Sequence, residues 1–277
     1  MSDRIDAHHH LWRYTAQEYG WIDDAMQALR RDFLPEDLTA EMQEAGVDGA
    51  VAVQARQTLE ETNWLLELAD GCEAIRGVVG WMPITSKSFA SSLEEFAGRP
   101  KLKGLRHVVQ AEPDDFLLRE EFNQGISAMR ESGLVYDVLI YERQLPQAIA
   151  FVDRHPDQTF VLDHIAKPRI REGSTEPWAT QIRELAKRQN VWCKVSGLVT
   201  EAEWQTWTLE TLTPYLDVVV EAFGVRRLMA GSDWPVCLVA SGYGRWFGIL
   251  EEYFAGFSDA EEDAVFGHTA KIVYRLS

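Results

Sequence analysis

The sequence predicts an α/β protein with the (β/α)8 TIM-barrel fold, formed by one domain over residues 1–277. Eight short runs rich in β-branched residues alternate with longer stretches that carry apolar residues at the spacing of a helix. The 277 residues suit such a barrel, which needs roughly 250. Polar side chains also gather at the C-terminal ends of the predicted strands, which is where barrels of this kind carry out their chemistry.

The predicted strands are, in chain order, Ile5–His8, Gly49–Gln54, Ile75–Trp81, Leu102–Val108, Leu134–Ile140, Thr159–Leu162, Val191–Val195 and Arg227–Ala230. Most are continuous apolar runs, as expected where helices or a packed barrel interior cover both faces. Helix boundaries are indicated by caps such as Thr58 and by terminal glycines such as Gly46 and Gly133. Ser258–Ser277 is predicted to form the final helix. A doubly wound sheet would place a glycine-rich turn after the first strand, whereas this strand runs into three histidines.

The charge balance and the cysteines exclude several classes of protein. Acidic residues outnumber basic ones by 44 to 27, for a formal charge of −17, which disfavours nucleic acid or an anionic membrane as a partner. The sequence shows neither an apolar run long enough to span a membrane nor an N-terminal export segment. Cys72, Cys193 and Cys237 are scattered. They predict a cytoplasmic protein with neither a disulfide framework nor a thiolate zinc site.

The first strand ends in the run Asp6-Ala7-His8-His9-His10-Leu11-Trp12. Because side chains alternate along a strand, His8 and His10 should point to one side and His9 to the other. Two imidazoles about 6–7 Å apart along a strand can converge on one metal ion or one carbonyl oxygen. The alternative is a hydrogen-bonded pair with a purely structural role.

Two later strands end in reactive groups of the same kind. Asp163 and His164 follow strand 6, where His164 would add a third imidazole and Asp163 would orient a neighbour. Asp233 follows Gly231 and Ser232 after strand 8, which lies beside strand 1 when a barrel closes. A carboxylate among imidazoles can bind a metal or accept a proton from water. The alternatives are a loop cap for His164 and a helix N-cap for Asp233.

Candidate substrate-binding residues lie at the same ends. Arg106 and Lys194 lie at the ends of otherwise apolar strands, and each needs a carboxylate or a substrate oxygen as a partner. An internal ion pair is the alternative for both. His107 should face the helices and is left outside the site. Further candidates are Gln54, Trp12 and Trp234, although the tryptophans could equally be core residues.

Together these motifs resemble the amidohydrolase superfamily, and more narrowly its "amidohydrolase 2" branch, which has a distorted barrel. That branch includes sugar-lactone hydrolases, such as L-fuconolactonase and L-rhamnonolactonase, and 2-pyrone-4,6-dicarboxylate lactonase. The resemblance covers essentially the whole chain. It rests on the segments Asp6–Trp12, Trp21–Ile22, Arg31–Phe33, Gly104–His107, Leu162–Pro168, Lys194–Leu198 and Gly231–Pro235.

The resemblance implies a hydrolase that opens a lactone ring, a carboxylic ester, in a small-molecule substrate. A sugar aldonolactone such as L-fuconolactone or L-rhamnonolactone is expected. Asp233 would act as general base, while His8, His10 and His164 would polarise water and the carbonyl group. The alternatives are a metal-dependent decarboxylase of the same branch, a dicarboxylate lactonase, and a barrel that only binds.

The sequence departs from binuclear members of the superfamily. Those enzymes place a bridging lysine or glutamate on strand 4 and a histidine on strand 5, where this chain has Arg106 and no histidine. A single divalent ion, with zinc as first choice, would therefore be held by His8, His10 and Asp233. A metal-free site is the alternative, since the resemblance implies both forms.

Overall fold

A computed structural model describes residues 3–277 and confirms the predicted barrel. All strand pairings are parallel, and the strands follow one another around the sheet in chain order. The strands are β1 (Ile5–His9), β2 (Gly49–Val53), β3 (Ile75–Gly80), β4 (Leu102–His107), β5 (Val135–Val138), β6 (Phe160–Leu162), β7 (Val191–Val195) and β8 (Leu228–Ala230). The barrel closes where His9 forms a parallel bridge with Trp234, just beyond β8.

Helices follow the strands around the outside of the barrel. They are α1 (Pro35–Ala45), α2 (Leu59–Gly71), α3 (Phe89–Phe96), α4 (Glu120–Met129), α5 (Leu145–Arg154), α6 (Trp178–Leu185), α7 (Leu198–Glu201), α8 (Leu209–Phe223), α9 (Tyr243–Phe254), α10 (Asp259–Asp263) and α11 (Thr269–Tyr274). A π-helical turn at Ala264–His268 joins α10 to α11, so the predicted final helix is interrupted and ends at Tyr274. No helix within residues 3–277 has the length and apolar character needed to cross a bilayer.

Local sequence signals account for several helix boundaries. The hydroxyl of Thr58 accepts a hydrogen bond from the backbone N–H of Glu61 at 3.1 Å, so the predicted cap of α2 is present. Pro35 opens α1, where its missing N–H costs no helical hydrogen bond. Gly46 ends that helix with a φ of 66°, a left-handed conformation that glycine adopts without steric cost.

The apolar core has two parts. The larger part fills the space between the sheet and the surrounding helices. The smaller part lies inside the barrel, where Val53, Val161 and Met229 are buried together with other strand residues. Val273 and Tyr274 of α11 belong to this inner cluster and close the barrel at its N-terminal end. The polar residues at the C-terminal end of the barrel therefore lie directly above a closely packed apolar interior.

Candidate active site

Three imidazoles meet at the C-terminal end of the barrel. His8 and His10 project together from the end of β1, with their Nε2 atoms 3.2 Å apart. His164, which follows β6, lies with its ring centroid 4.4 Å from that of His8. His9 points elsewhere, with its Nδ1 3.4 Å from the carbonyl oxygen of Val51. Alternation along β1 thus separates His9 from the other two, as the sequence pattern predicts.

Asp233 joins this group from the other side of the barrel closure. One of its oxygens, Oδ1, lies 3.4 Å from Nε2 of His10, 3.7 Å from that of His8 and 3.8 Å from that of His164. The backbone N–H of Asp233 donates to the carbonyl oxygen of His8 at 2.8 Å, which ties β1 to the segment after β8. Gly231 permits this approach, because a Cβ atom there would lie 2.8 Å from Cβ of His8.

Hydrogen bonds on the outer side of the rings determine which imidazole nitrogens face Asp233. Nδ1 of His10 lies 2.8 Å from the carbonyl oxygen of Val53, so Nδ1 carries the proton and Nε2 presents a lone pair. Nδ1 of His164 lies 2.9 Å from Oγ of Ser196. Burial lowers the pKa of His164 to about 4, so this ring is neutral at physiological pH.

The surroundings of His8 accommodate both of its neutral tautomers. Nζ of Lys194 lies 3.2 Å from Nδ1, and this contact favours a proton on Nε2 that points at His10. Oδ1 of Asp163 lies 3.4 Å from the same nitrogen and can accept a proton from it, which frees the Nε2 lone pair. In the second tautomer His8 and His10 both offer lone pairs beside Asp233. This donor set fits one divalent cation.

A second group of possible ligands, His8, Asp163 and His164, was not predicted. Asp163 is already engaged by two cations, because Arg106 donates to its Oδ2 at 3.0 Å and Lys194 lies 3.1 Å from its Oδ1. Burial raises the pKa of Asp163, but the positive charge of Lys194 and the other nearby donors outweigh it and hold the pKa well below its usual value. A further cation would be repelled there, so the group with Asp233 fits a metal better.

Buried charges beneath the imidazoles form a compact network. Lys194 is fully buried and lies 2.5 Å from Oδ2 of Asp137 on β5. Tyr274 donates to Oδ1 of the same carboxylate at 2.8 Å. Asp137 was not singled out from the sequence, although an acidic residue inside the apolar run of strand 5 was the available signal. Lys194 contacts Nδ1 of His8 at 3.2 Å, so the network links His8 through Lys194 and Asp137 to Tyr274 at the N-terminal end of the barrel.

A cavity of about 460 Å³ opens above the imidazoles. Of the predicted site residues, His10, Trp12, Arg106, His164 and Asp233 line it. The other four lie behind this lining: His8, Gln54, Lys194 and Trp234.

The candidates behind the lining make interior contacts. The side-chain amide of Gln54 donates to the backbone carbonyl of Arg106 at 3.3 Å. The ring of Trp234 packs edge-on against Phe33, with centroids 5.1 Å apart. His107 stacks on Phe116 with ring centroids 4.8 Å apart, outside the cavity lining.

The cavity is completed by residues that the sequence did not indicate as site residues. Lys167, Tyr141, Glu201 and Trp204 line the side away from β1. Lys167 and Glu201 follow β6 and β7, so their positions after strand ends were the signal available in the sequence. Trp21 differs from these residues, because it belongs to the segment Trp21–Ile22 on which the resemblance rests. Its exposed fraction is 45%, and it lines the rim near Trp12.

Gly197 controls the position of His164. Its φ of 68° lies in the left-handed region, and an added Cβ would lie 2.6 Å from Nδ1 of His164. Glycine therefore serves both the backbone conformation and the close approach of the imidazole. The glycine in the segment Lys194–Leu198 is thus explained by the geometry of the site.

Comparisons with known proteins show the family to which the chain is similar. A family model described as amidohydrolase matches residues 5–276. An L-fucono-1,5-lactonase of Burkholderia multivorans is 41% identical over 99% of this chain and 96% of its own length. An L-fucono-1,5-lactonase of Burkholderia ambifaria is 37% identical over 100% of this chain and 97% of its own length.

Solved structures extend the likeness to the fold. Two crystal forms of a Burkholderia multivorans amidohydrolase, one with bound zinc and one with bound HEPES, superpose with a TM-score of 0.96. Each is 41% identical to this chain, with both chains covered over 100% of their lengths. The protein therefore belongs to the amidohydrolase family.

Proposed function

We propose that this protein hydrolyses the ring ester of a neutral sugar 1,5-lactone such as L-fucono-1,5-lactone. The observation that carries the proposal is the position of Asp233, with one carboxylate oxygen within 3.8 Å of three imidazoles at a cavity. The sequence relatives that carry the name L-fucono-1,5-lactonase support the choice of substrate.

The cavity favours a neutral substrate over a dicarboxylate. Among the described residues, Arg106 is the only arginine in the lining of the cavity, and its charge is already paired with that of Asp163. Glu201 adds a carboxylate to the wall, which would repel a second anionic group on the substrate. Lys167, the other cation of the lining, lies 3.8 Å from Glu201, whose charge offsets it. A neutral lactone carries hydroxyl groups that Lys167 and Glu201 can both bind.

Hydrolysis follows from the arrangement of proton donors and acceptors. Asp233 takes a proton from a water molecule, whose oxygen attacks the lactone carbonyl carbon. The carbonyl oxygen gains negative charge, which the Nε2–H of His164 stabilises as a hydrogen-bond donor. When the ring C–O bond breaks, Asp233 returns the proton to the departing alkoxide. The product is an open-chain hydroxy acid.

Asp233 suits the role of base because it is ionised at neutral pH. Burial raises the pKa of Asp233, but favourable interactions of its carboxylate with the rings of His164 and His10 outweigh burial, so the pKa lies below its usual value. A neutral His164 completes the pair, since its pKa of about 4 leaves it uncharged. Neither group therefore titrates near neutrality, so in the metal-free form we expect kcat/KM to be independent of pH there.

We also propose that His8, His10 and Asp233 hold one zinc ion. The zinc-bound structure of the Burkholderia multivorans amidohydrolase supports this choice of metal. Zinc would lower the pKa of a bound water to about 7 and so make it easier to deprotonate. In the metal-free alternative, the imidazoles and Arg106 alone polarise the carbonyl.

Metal content tests the zinc proposal without reference to activity. Protein dialysed against zinc should retain one equivalent, whereas a His10→Ala variant should retain almost none. A chelator should also lower the unfolding temperature of the wild type but not that of the variant, since binding to the folded state alone stabilises it. Equal zinc content in the two proteins would contradict the proposed ligands.

A pH-indicator assay with a panel of lactones tests the reaction, because ring opening releases a proton at neutral pH. We expect sugar 1,5-lactones to react fastest and 2-pyrone-4,6-dicarboxylate slowly or not at all. Release of carbon dioxide from an aromatic acid, with no lactone opened, would instead establish the decarboxylase alternative.

We further propose that the protein is located in the cytoplasm. The free thiols of Cys72, Cys193 and Cys237 support this location, because the cytoplasm keeps thiols reduced.

A further inference from the structure

The wall of the cavity opposite β1 carries an oppositely charged pair with unused hydrogen-bonding capacity. Nζ of Lys167 lies 3.8 Å from Oε1 of Glu201, and both residues line the cavity. This separation is too long for a hydrogen bond between the two groups. The ammonium donors and the carboxylate lone pairs therefore remain available to a molecule in the cavity.

Both charges are largely withdrawn from water. The exposed fraction is 15% for the side chain of Lys167 and 24% for that of Glu201. Burial raises the pKa of Glu201, and the negative charge of Asp233 raises it further, although Lys167 lowers it. Charges in such surroundings gain more from a hydrogen-bonding ligand than charges on an open surface.

The backbone that presents Lys167 adopts an uncommon conformation. Residues 164–167 all have positive φ, with values of 53°, 49°, 62° and 49°. Each left-handed residue other than glycine costs about 1–2 kcal/mol. The turn is held by Trp178, whose Nε1–H donates to the carbonyl oxygen of Ile165 at 2.7 Å. Its first and last residues, His164 and Lys167, both line the cavity.

A strained turn that delivers two side chains to one cavity is typical of a functional segment. His164 serves the carbonyl end of the substrate in the proposed mechanism, which leaves the other end of the ring without an assigned partner. Lys167 and Glu201 lie on the wall that this end would face. Tyr141 and Trp204 flank the pair and can cover the C–H faces of a sugar ring.

We propose that Lys167 and Glu201 form a hydroxyl-binding pair that selects polyhydroxylated lactones over unsubstituted ones. Glu201 accepts hydrogen bonds from neighbouring ring hydroxyls, and Lys167 donates one to a hydroxyl oxygen. The pair acts on substrate choice, while Asp233 and the imidazoles act on the ester. This inference rests on the proposed lactone hydrolysis.

The test compares two substrates with two isosteric variants. The kcat/KM of Glu201→Gln and Lys167→Met is measured with L-fucono-1,5-lactone and with δ-valerolactone, which has the same ring without hydroxyls. Loss of a hydrogen bond to a charged group should lower kcat/KM for the sugar lactone by about 10- to 100-fold. The value for δ-valerolactone should change by less than about threefold, since neither charge then has a partner to lose.

A matched control removes a lysine–glutamate pair that lies away from the cavity. Lys187 and Glu184 are 2.5 Å apart on the surface, so Lys187→Met and Glu184→Gln should leave both substrates unaffected. Thermal unfolding of each variant shows that it is folded. Calorimetry with a hydroxylated 1,5-lactam, which resists hydrolysis, gives a second readout. Its affinity should fall by at least about tenfold in the two cavity variants.

Three outcomes separate the possible failures. An equal loss for both lactones would overturn the inference, because the pair would then act on the ester or on the fold. Unchanged kcat/KM for the sugar lactone, or unchanged affinity for the lactam, would overturn it as well. If the wild type opens neither lactone, the proposed function itself fails, and lactam binding still decides whether the pair recognises hydroxyls.

Discussion

Replacing Asp233 by Asn tests the assignment of the general base with little risk to the fold. Asp233 has a φ of 56°, in the left-handed region, and Asn is among the residues that tolerate this conformation best. The side chains have nearly the same shape, and the backbone hydrogen bond to the carbonyl oxygen of His8 does not involve the side chain. The substitution therefore removes the charge and keeps the shape of the side chain. Because Asp233 is also a proposed zinc ligand, the zinc content of the variant is measured alongside its activity, and activities are compared at equal zinc content.

The expected loss of activity follows from what the carboxylate does in the site. Its Oδ1 is the atom that faces all three imidazoles, within 3.8 Å. An amide cannot accept a proton from water at neutral pH. A positioned general base contributes about 10²- to 10⁴-fold, so kcat should fall by that factor, or about 3 to 5 kcal/mol in the barrier.

The assay is ring opening followed with a pH indicator, corrected for spontaneous hydrolysis, between pH 6 and 9. In the metal-free form the wild type should show a flat profile near neutrality, whereas a zinc-bound water with a pKa of about 7 would give a rate that rises and then levels off above pH 7. The Asn variant should gain about tenfold in rate per pH unit, since hydroxide replaces the missing base. Asp70→Asn, which removes an exposed carboxylate 3.2 Å from Arg99, is the control. Near-normal turnover in Asp233→Asn would refute the role of base.

Other substitutions test the supporting structure. Gly197→Ala should lower kcat/KM by about 10²-fold through displacement of His164, whereas Gly173→Ala, with φ of 65° and open space around it, should only reduce stability. Burial raises the pKa of Glu61 to about 7, above its ordinary 4.5. The wild type is therefore stabilised while Glu61 is protonated at low pH, and it loses this contribution as the pH rises through 7. Between pH 6 and 9 its free energy of unfolding, measured in urea, should fall by about 1–2 kcal/mol from this cause, a loss that Glu61→Gln should not show. A pH-independent difference between Gln variant and wild type would contradict this. Lys194→Met should lower the free energy of unfolding by about 3–5 kcal/mol, because it leaves buried carboxylates unpaired. A loss below about 1 kcal/mol in urea unfolding would show that the buried network is not ionised.

The barrel and the meeting of the imidazoles with Asp233 could be predicted because both depend on chain order. Residues that end parallel strands must lie at one rim, and the first and last strands must become neighbours when the sheet closes. Those two rules bring His8, His10, His164 and Asp233 together from positions far apart in sequence. The predicted strands differ from the observed ones only by a few residues at their ends.

The depth and direction of individual side chains could not be predicted in the same way. Lys194 and Arg106 both end apolar strands, yet one is fully buried in an ion pair and the other lines the cavity. The stagger of neighbouring strands decides which level of the barrel a residue reaches, and no local pattern encodes it. The position of Lys167 depends on a turn of residues with positive φ, a conformation that residues other than glycine rarely adopt, so local sequence patterns do not predict it.

The hydroxyl of Tyr274 makes helix α11 part of the structure that supports the site. It reaches Asp137 from α11, and Asp137 in turn pairs with Lys194 beneath His8. A chain shortened before Tyr274 would keep all eight strands and every residue that lines the cavity, but it would lose the hydrogen bond from Tyr274 to Asp137. During synthesis, β1 leaves the ribosome long before α11, the helix that supports its histidine through Asp137 and Lys194, so we expect catalytic activity only after α11 has docked.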